Sequence, residues 1–162
     1  MKQLSFQDVM DAAEKISNAI RSSGYVPDYL IGVATGGLFP LALISKYLNN
    51  KNILTITAKS ETINDKKVVE ILYSPQISLG GKKILLIDDI TDSGETLQMI
   101  SELVFKYYRP ETVKTAALGS NIDNSKVSPD FFALEETGEW LKFPWEKEDF
   151  SPYPYSTKIR NK

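Results

Sequence analysis

The sequence lacks both cysteine and histidine among its 162 residues. Their absence excludes disulfides, thiolate zinc sites, cysteine nucleophiles and histidine general bases. Any acid–base or metal chemistry must therefore use Asp, Glu, Lys or Tyr side chains. A metal ion bound by carboxylates alone would be a hard cation such as Mg²⁺.

The chain also lacks a basic excess, a long apolar run and a targeting segment. Its formal net charge is −2, which provides no electrostatic footprint for nucleic acid. No run approaches the roughly 18 apolar residues that a membrane helix needs, and the N-terminal pattern contains acids instead of an apolar signal core. We therefore expect a cytoplasmic protein without a nucleic-acid or membrane partner. Length and ordinary composition predict a single domain over residues 1–162.

Strand-like apolar runs alternate with helical spacing along the chain. Ser5 can cap a helix that begins near Phe6, and Gly24 can end it. The other predicted helices are residues 38–48 and 95–107, and the predicted strands are residues 29–33, 53–57, 83–87, 113–118 and 131–134. This alternation predicts an α/β fold with a central, mostly parallel sheet and flanking helices.

Two segments depart from this alternation. Residues 58–78 are polar around positions 60–67 and then alternate through positions 68–72, which predicts a mobile excursion with some strand character. From Trp140 onward the chain is rich in aromatic residues and proline and has no clear period. We expect this tail to cap the domain or to contact another subunit.

The strongest predicted strand ends in two adjacent carboxylates, Asp88 and Asp89, and a loop leads from them into a helix. Loops at the carboxyl ends of parallel strands bind ligands in open α/β sheets, and a helix start favours phosphate. Gly94 allows close backbone approach, while Ser93 and Thr96 can donate hydrogen bonds. The carboxylates would repel a bare phosphate but suit sugar hydroxyls or Mg²⁺. The pattern predicts a ligand such as ribose 5-phosphate, although a structural turn and helix cap would share these features.

Residues 84–96, ILLIDDITDSGET, resemble the motif with which type I phosphoribosyltransferases bind 5-phosphoribosyl-1-pyrophosphate (PRPP). Four apolar residues, two acids, two further residues and Asp-Thr/Ser-Gly-x-Thr all match. The resemblance implies the type I phosphoribosyltransferase fold, with Mg²⁺ and PRPP bound at Asp88 and Asp89. It also implies that the 5-phosphate is bound by Asp92, Ser93, Gly94, Glu95 and Thr96. Asp92 would serve as general acid/base near N7 of an incoming purine, and it could also cap the helix.

Thr35, Gly36 and Gly37 follow the first predicted parallel strand. A glycine pair permits close backbone approach, although many such pairs are plain turns. In the family that the chain resembles, this loop binds pyrophosphate through backbone amides, often around a non-proline cis peptide. Many relatives have Arg or Lys where Thr35 stands, so the pyrophosphate charge must be met by Mg²⁺, backbone or a loop lysine. The resemblance implies that residues 58–78 form a flexible lid containing Lys59, Lys66 and Lys67.

The resemblance also implies a small C-terminal hood over about residues 119–162. Residues 139–146, EWLKFPWE, are similar to the hood of purine phosphoribosyltransferases, mainly the bacterial xanthine–guanine type and archaeal relatives. By that similarity Trp140 stacks on the purine and Leu141 contacts the ring edge through its backbone. Glu146 would lie near the base or the metal. The two tryptophans also fit the simpler role of core anchors.

One departure concerns the acceptor base. The 6-oxopurine enzymes usually have a lysine just after the strand equivalent to residues 113–118, donating to O6 of the purine. Here Ser120 and Asn121 occupy that place and the next lysine is Lys126. Either of the two could substitute, and an asparagine would also suit the amino group of adenine. The resemblance favours hypoxanthine, guanine or xanthine, while adenine remains open.

Together these features predict a purine salvage enzyme that joins a purine base to the phosphoribosyl group of PRPP. We expect a homodimer or homotetramer, as in relatives.

Two other classes of function remain. A non-catalytic PRPP-sensing regulator of the same fold is disfavoured by the acidic net charge and by the lack of an added DNA-binding segment. A phosphorelay receiver is disfavoured because its acidic pair would follow the first strand.

Overall fold

The computed structural model describes residues 1–146, so the end of the predicted hood, residues 147–162, lies outside the described residues. The helices are α1 (Phe6–Ser22), α2 (Leu38–Leu48) and α3 (Glu95–Tyr108). The strands are β1 (Lys2–Gln3), β2 (Tyr29–Ala34), β3 (Ile53–Ile63), β4 (Lys66–Tyr73), β5 (Lys83–Thr91), β6 (Thr112–Asn121), β7 (Phe131–Glu136) and β8 (Leu141–Lys142). No helix in this part of the chain is long and apolar enough to span a membrane.

Helix α1 begins at the predicted cap. The backbone N–H of Asp8 donates to the Ser5 hydroxyl at 3.1 Å, and the N–H of Ser5 donates to the Asp8 carboxylate at 2.7 Å. This reciprocal pair satisfies two N–H groups that a helix start leaves free. The apolar positions of the helix are then buried as one stripe: Val9, Ala12, Ala13, Ile16 and Ile20.

Six strands form the central sheet in the order β4-β3-β2-β5-β6-β7. All neighbouring pairs are parallel except β3 and β4, which are antiparallel at one edge. Leu85 and Ile87 pack with α1 and α2 on one face, whereas Ile84 and Leu86 pack with α3 on the other. The continuous apolar run of β5 is explained by this double covering. The predicted α/β fold with a mostly parallel sheet is therefore confirmed.

Residues 58–78 contain more regular structure than the sequence predicts. β3 continues to Ile63 and pairs with β4, with a turn at Asn64 and Asp65, where φ is positive, and the predicted mobility of this segment stays a prediction. The alternation through residues 68–72 produces β4, so the expected strand character was right. The polar residues form the hairpin tip, where most side chains are exposed. The lid function of this hairpin stays a prediction.

After β7 the chain returns to the carboxyl ends of the strands. β8 pairs with β1 in parallel, Lys2 opposite Leu141, in a small second sheet. Leu141 packs close to Gly119 near the end of β6, and the ring of Trp145 stacks on Phe39 in the first turn of α2. Residues 141–145 thus lie beside the loops that follow β2 and β6.

Candidate functional site

A cavity of about 230 Å³ lies where β5 ends and α3 begins. It brings together side chains from the predicted phosphate loop, the first acid of the predicted pair and the hairpin: Asp88, Asp92, Ser93, Gly94, Thr96, Ser60 and Lys67. Of the three predicted lid lysines, Lys67 lines this cavity, whereas Lys59 and Lys66 do not. The N-terminus of α3 opens at the same place, so its free N–H groups and positive dipole end favour an anion there.

The loop between β6 and β7 holds the phosphate loop in place. The N–H groups of Lys126 and Val127 donate to the carbonyl oxygen of Ser93 at 3.0 and 3.2 Å. Gly94 has a φ of 80°, and a Cβ there would overlap the carbonyl group of Val127. Gly94 is therefore required both by its positive φ and by the lack of space for a Cβ. The loop between β6 and β7 also contributes the Lys126 ammonium, whose hydrogen bond lowers the pKa of Glu95, with smaller contributions that include the charge of Lys67.

Asp92 lies exposed at the mouth of this loop, where two side-chain amides bind it. Its Oδ1 accepts hydrogen bonds from Nδ2 of Asn121 at 2.9 Å and from Nδ2 of Asn124 at 3.0 Å. The oxygen of the Asn121 amide accepts the backbone N–H groups of Asp123 and Asn124, both at 3.1 Å. These contacts fix which end of the Asn121 amide faces Asp92. Sequence reasoning missed Asn124, because no local pattern links it to Asp92.

The predicted acid pair lies in a crowded environment at the end of β5. Burial raises the pKa of Asp88 well above its ordinary value, and the charge of Asp89 adds to this effect. Burial also raises the pKa of Asp89. Their oxygens accept backbone N–H groups, from Asp89 to Asp88 at 2.9 Å and from Ile90 to Asp89 at 2.7 Å. Two adjacent carboxyls whose charged forms are disfavoured by burial suit a hard cation or a hydroxyl donor.

The loop after β2 contacts this acid pair directly. A Cβ on Gly36 would overlap the carboxyl group of Asp89, so only glycine allows this approach. The peptide bond between Ala34 and Thr35 is cis, as is often found in the family that the motif resembles. The N–H of Gly37 already donates to the carbonyl oxygen of Val33 at 2.8 Å. The amides of Thr35 and Gly36 are therefore the better candidates for an anion.

Trp145, rather than Trp140, is the tryptophan that contacts this site. Its ring stacks between Phe39, at 4.5 Å between centroids, and Phe143, at 4.7 Å. A hydrogen bond from its side chain lowers the pKa of Asp89, and the charge of Glu146 raises it. Glu146 therefore lies within electrostatic reach of Asp89, and its role near the base or the metal stays a prediction. Within residues 1–146, however, no three acidic side chains form a ready metal site.

The two residues predicted to contact the purine, Trp140 and Leu141, differ in exposure. The Trp140 residue is 48% exposed, while Leu141 is buried with only 3% of its surface accessible. The carbonyl oxygen of Trp140 accepts the N–H of Lys2 at 2.8 Å, so its backbone is fixed by β1. The stacking role of Trp140 and the backbone role of Leu141 stay predictions.

The two residues proposed to replace the missing lysine are already engaged. Ser120 is fully buried, and its hydroxyl accepts a hydrogen bond from Thr91 at 3.1 Å. Asn121 binds Asp92 and the following turn, as described above. The next side chain across the sheet is Glu136, which is paired in register with Asn121. Sequence reasoning missed Glu136, and the only signal was an acid that ends a mostly apolar strand.

Comparisons with known proteins identify the family and the fold. The profile of the phosphoribosyl transferase domain family matches residues 2–149. A xanthine-guanine phosphoribosyltransferase of Cereibacter sphaeroides is 29% identical over 136 residues, 79% of this chain and 77% of the relative. The structure of a purine phosphoribosyltransferase from Pyrococcus horikoshii is similar, with a TM-score of 0.79 and 28% identity over 91% of this chain and 95% of the other. A Helicobacter pylori xanthine-guanine-hypoxanthine phosphoribosyltransferase shares the fold, with a TM-score of 0.74 and 21% identity over 99% and 98% of the two chains.

Proposed function

The chain belongs to the phosphoribosyl transferase domain family, and on that premise we propose that it transfers the phosphoribosyl group of PRPP to a purine base. The products would be a nucleoside 5-monophosphate and pyrophosphate. The observation that carries the proposal is the cavity where the phosphate loop and Asp88 of the acid pair meet, with Gly36 packed against Asp89. That arrangement offers one place for each part of PRPP.

The 5-phosphate would lie at the start of α3. There the N–H groups of Glu95 and Thr96 belong to the first helical turn, and the Ser93 and Thr96 side chains line the cavity. Lys67 approaches from the hairpin, and its charge would complement the phosphate. Lys67 lies on a hairpin at the edge of the sheet. Movement of this hairpin when PRPP binds would change the position of Lys67, and the hairpin would in this way act as a lid.

The ribose hydroxyls and a metal would lie at Asp88 and Asp89. Mg²⁺ fits this donor set, because it prefers carboxylate oxygens, and Glu146 lies close enough to Asp89 to influence its pKa. When bound, Mg²⁺ would neutralise charge on the pyrophosphate leaving group. The pyrophosphate itself would contact the backbone of Thr35 and Gly36. Gly37 would then serve mainly as the N-cap residue of α2.

The base would lie between Asp92 and the hood segment that contains Trp140 and Leu141. The relatives named above act on xanthine, guanine or hypoxanthine by their names, which favours a 6-oxopurine for this chain. Adenine stays the alternative, because Ser120 and Asn121 offer no lysine-like donor. The predicted homodimer or homotetramer and the predicted cytoplasmic location remain expectations.

In the proposed reaction N9 of the purine attacks C1 of the ribose, and the bond from C1 to the pyrophosphate oxygen breaks. The N7 proton of the base is transferred to Asp92. Because both amide donors bind Oδ1 of Asp92, its Oδ2 is the oxygen that can accept this proton. Proton transfer and exact placement of the reacting atoms would both contribute to the rate.

Asn124→Ala tests the placement of Asp92. It removes one of the two donors and leaves the backbone N–H of residue 124 to complete the turn. We expect kcat to fall about tenfold, with little change in the KM for PRPP, because a misplaced catalytic group reduces the rate of the chemical step. Ser125→Ala, in the same loop, is the matched control and should retain wild-type kcat. Equal kcat values for the two variants would contradict this role of Asn124.

The proposed function is tested by incubating the purified chain with PRPP, Mg²⁺ and a purine, and separating the products by chromatography. A nucleoside 5-monophosphate is expected. A PRPP-sensing regulator would bind PRPP without forming product. A phosphorelay receiver would bind no PRPP and would be labelled by acetyl phosphate on an aspartate.

A further inference from the structure

Glu136 is a buried carboxyl that lacks a full set of hydrogen-bond partners among residues 1–146. The residue is 5% exposed, and within residues 1–146 its Oε2 is the one buried side-chain oxygen or nitrogen without a hydrogen bond. Buried polar groups in proteins are nearly always hydrogen-bonded, and an unbonded one needs an explanation such as a functional role or a bound water or ion. Glu136 therefore requires a hydrogen-bond donor that the described residues do not supply.

The position of Glu136 places it beside the proposed reaction site. It ends β7 opposite Asn121, whose amide binds Asp92. Burial raises the pKa of Glu136, and the negative charge of Asp92 raises it further, so the two carboxyls are within electrostatic reach. Trp140 and Leu141 follow a few residues later in the chain. Glu136 thus lies beside Asn121, at the end of the sheet where the Asn121 amide binds Asp92.

Other polar side chains at these strand ends already have partners. Thr91 and Ser120 bond to each other inside the protein. The amide oxygen of Asn121 accepts two backbone N–H groups, and its nitrogen donates to Asp92. Among the buried polar side chains of these strand ends within residues 1–146, Glu136 is the one with an unused acceptor oxygen.

We propose that Glu136 contacts the base and selects a purine with an exocyclic amino group. The proposal rests on the proposed function, and it names guanine among the 6-oxopurines. An ionised carboxylate only accepts hydrogen bonds, so it pairs with an amino group and repels a carbonyl oxygen. Guanine has an amino group at C2, whereas xanthine has carbonyl groups at both C2 and C6. Xanthine therefore offers the least favourable edge to a carboxylate.

Glu136→Gln separates this role from a structural one. The amide has nearly the same shape, but it adds an N–H donor that can pair with a carbonyl oxygen. We expect wild-type kcat/KM to be higher for guanine than for xanthine, and the ratio to fall about 10- to 100-fold in the variant, as expected for a hydrogen bond to a charged group. Glu135→Gln, at the exposed neighbouring position of β7, is the control and should leave the ratio unchanged.

Glu136→Met supplies a second variant if the amide variant folds poorly, since thioether packing needs no partner. It should lower kcat/KM for guanine without raising it for xanthine. A guanine-to-xanthine ratio that is the same in wild type and in the Glu136 variants would overturn the proposal, even if all rates fell together. Failure of the wild type to use any purine would instead contradict the proposed function. Thermal melting of each variant verifies that the proteins compared are folded.

Discussion

Asp92→Asn is expected to lower kcat by about 10²- to 10⁴-fold, the usual contribution of a positioned acid–base group. The substitution is informative because the asparagine keeps an oxygen that can accept from Asn121 and Asn124. It replaces Oδ2, the oxygen without an amide donor, with a nitrogen that cannot accept the N7 proton. The geometry of the loop should therefore survive while the proposed chemistry is lost.

The measurement is steady-state pyrophosphate release at saturating PRPP and purine, together with titration of PRPP into each protein. Binding of PRPP should remain near the wild-type value, because Asp92 contributes mainly backbone and shape to the phosphate site. Asp123→Asn, in the turn after β6, removes a nearby charge without touching Asp92 and should leave kcat unchanged. Near-normal turnover of Asp92→Asn with intact PRPP binding would remove Asp92 as the proton acceptor.

Gly94→Ala is expected to weaken PRPP binding at least 100-fold, or about 3 kcal/mol. The new Cβ would overlap the carbonyl group of Val127, and the φ of 80° is itself unfavourable for alanine. The phosphate loop and the loop that carries Lys126 would have to separate. The N–H groups that are proposed to bind the 5-phosphate would then move.

Gly81→Ala is the matched control for this change. Gly81 has a φ of 70° but has open space around its Cβ position. The backbone conformation alone should cost both variants about 1 kcal/mol of stability, and Gly94→Ala should lose more in thermal melting because of the overlap with Val127. Only Gly94→Ala should lose PRPP binding when PRPP is titrated with Mg²⁺ present. Equal PRPP affinity in the two variants would contradict the proposed phosphate site.

The local parts of this fold could be predicted from the sequence. Ser5 and Asp8 form the cap of α1 because both partners lie within one helical turn. The apolar run of β5 and the acids that end it identified the central strand of the sheet. The phosphoribosyltransferase family, the fold and the class of enzyme predicted from residues 84–96 are confirmed by the family match and the similar structures.

Contacts between distant segments could not be predicted in the same way. Asn124 binds Asp92 across the sheet end, and Trp145 reaches Asp89 from the end of the described chain. Neither contact leaves a periodic signal in the sequence. The full extent of the hairpin formed by β3 and β4 could not be predicted, because most of its polar residues 60–67 are held in strands by pairing rather than by burial. Glu136 shows the same limit, since its burial depends on neighbouring strands.

Purine-dependent release of pyrophosphate by the wild-type chain tests the central claim most directly. The protein would be supplied with PRPP and Mg²⁺, and pyrophosphate would be measured with no base and then with guanine, hypoxanthine, xanthine and adenine in turn. We expect release to require a purine, to equal the nucleoside monophosphate formed, and to be fastest with guanine. PRPP binding without release of pyrophosphate for any of the four bases would contradict the proposed enzyme.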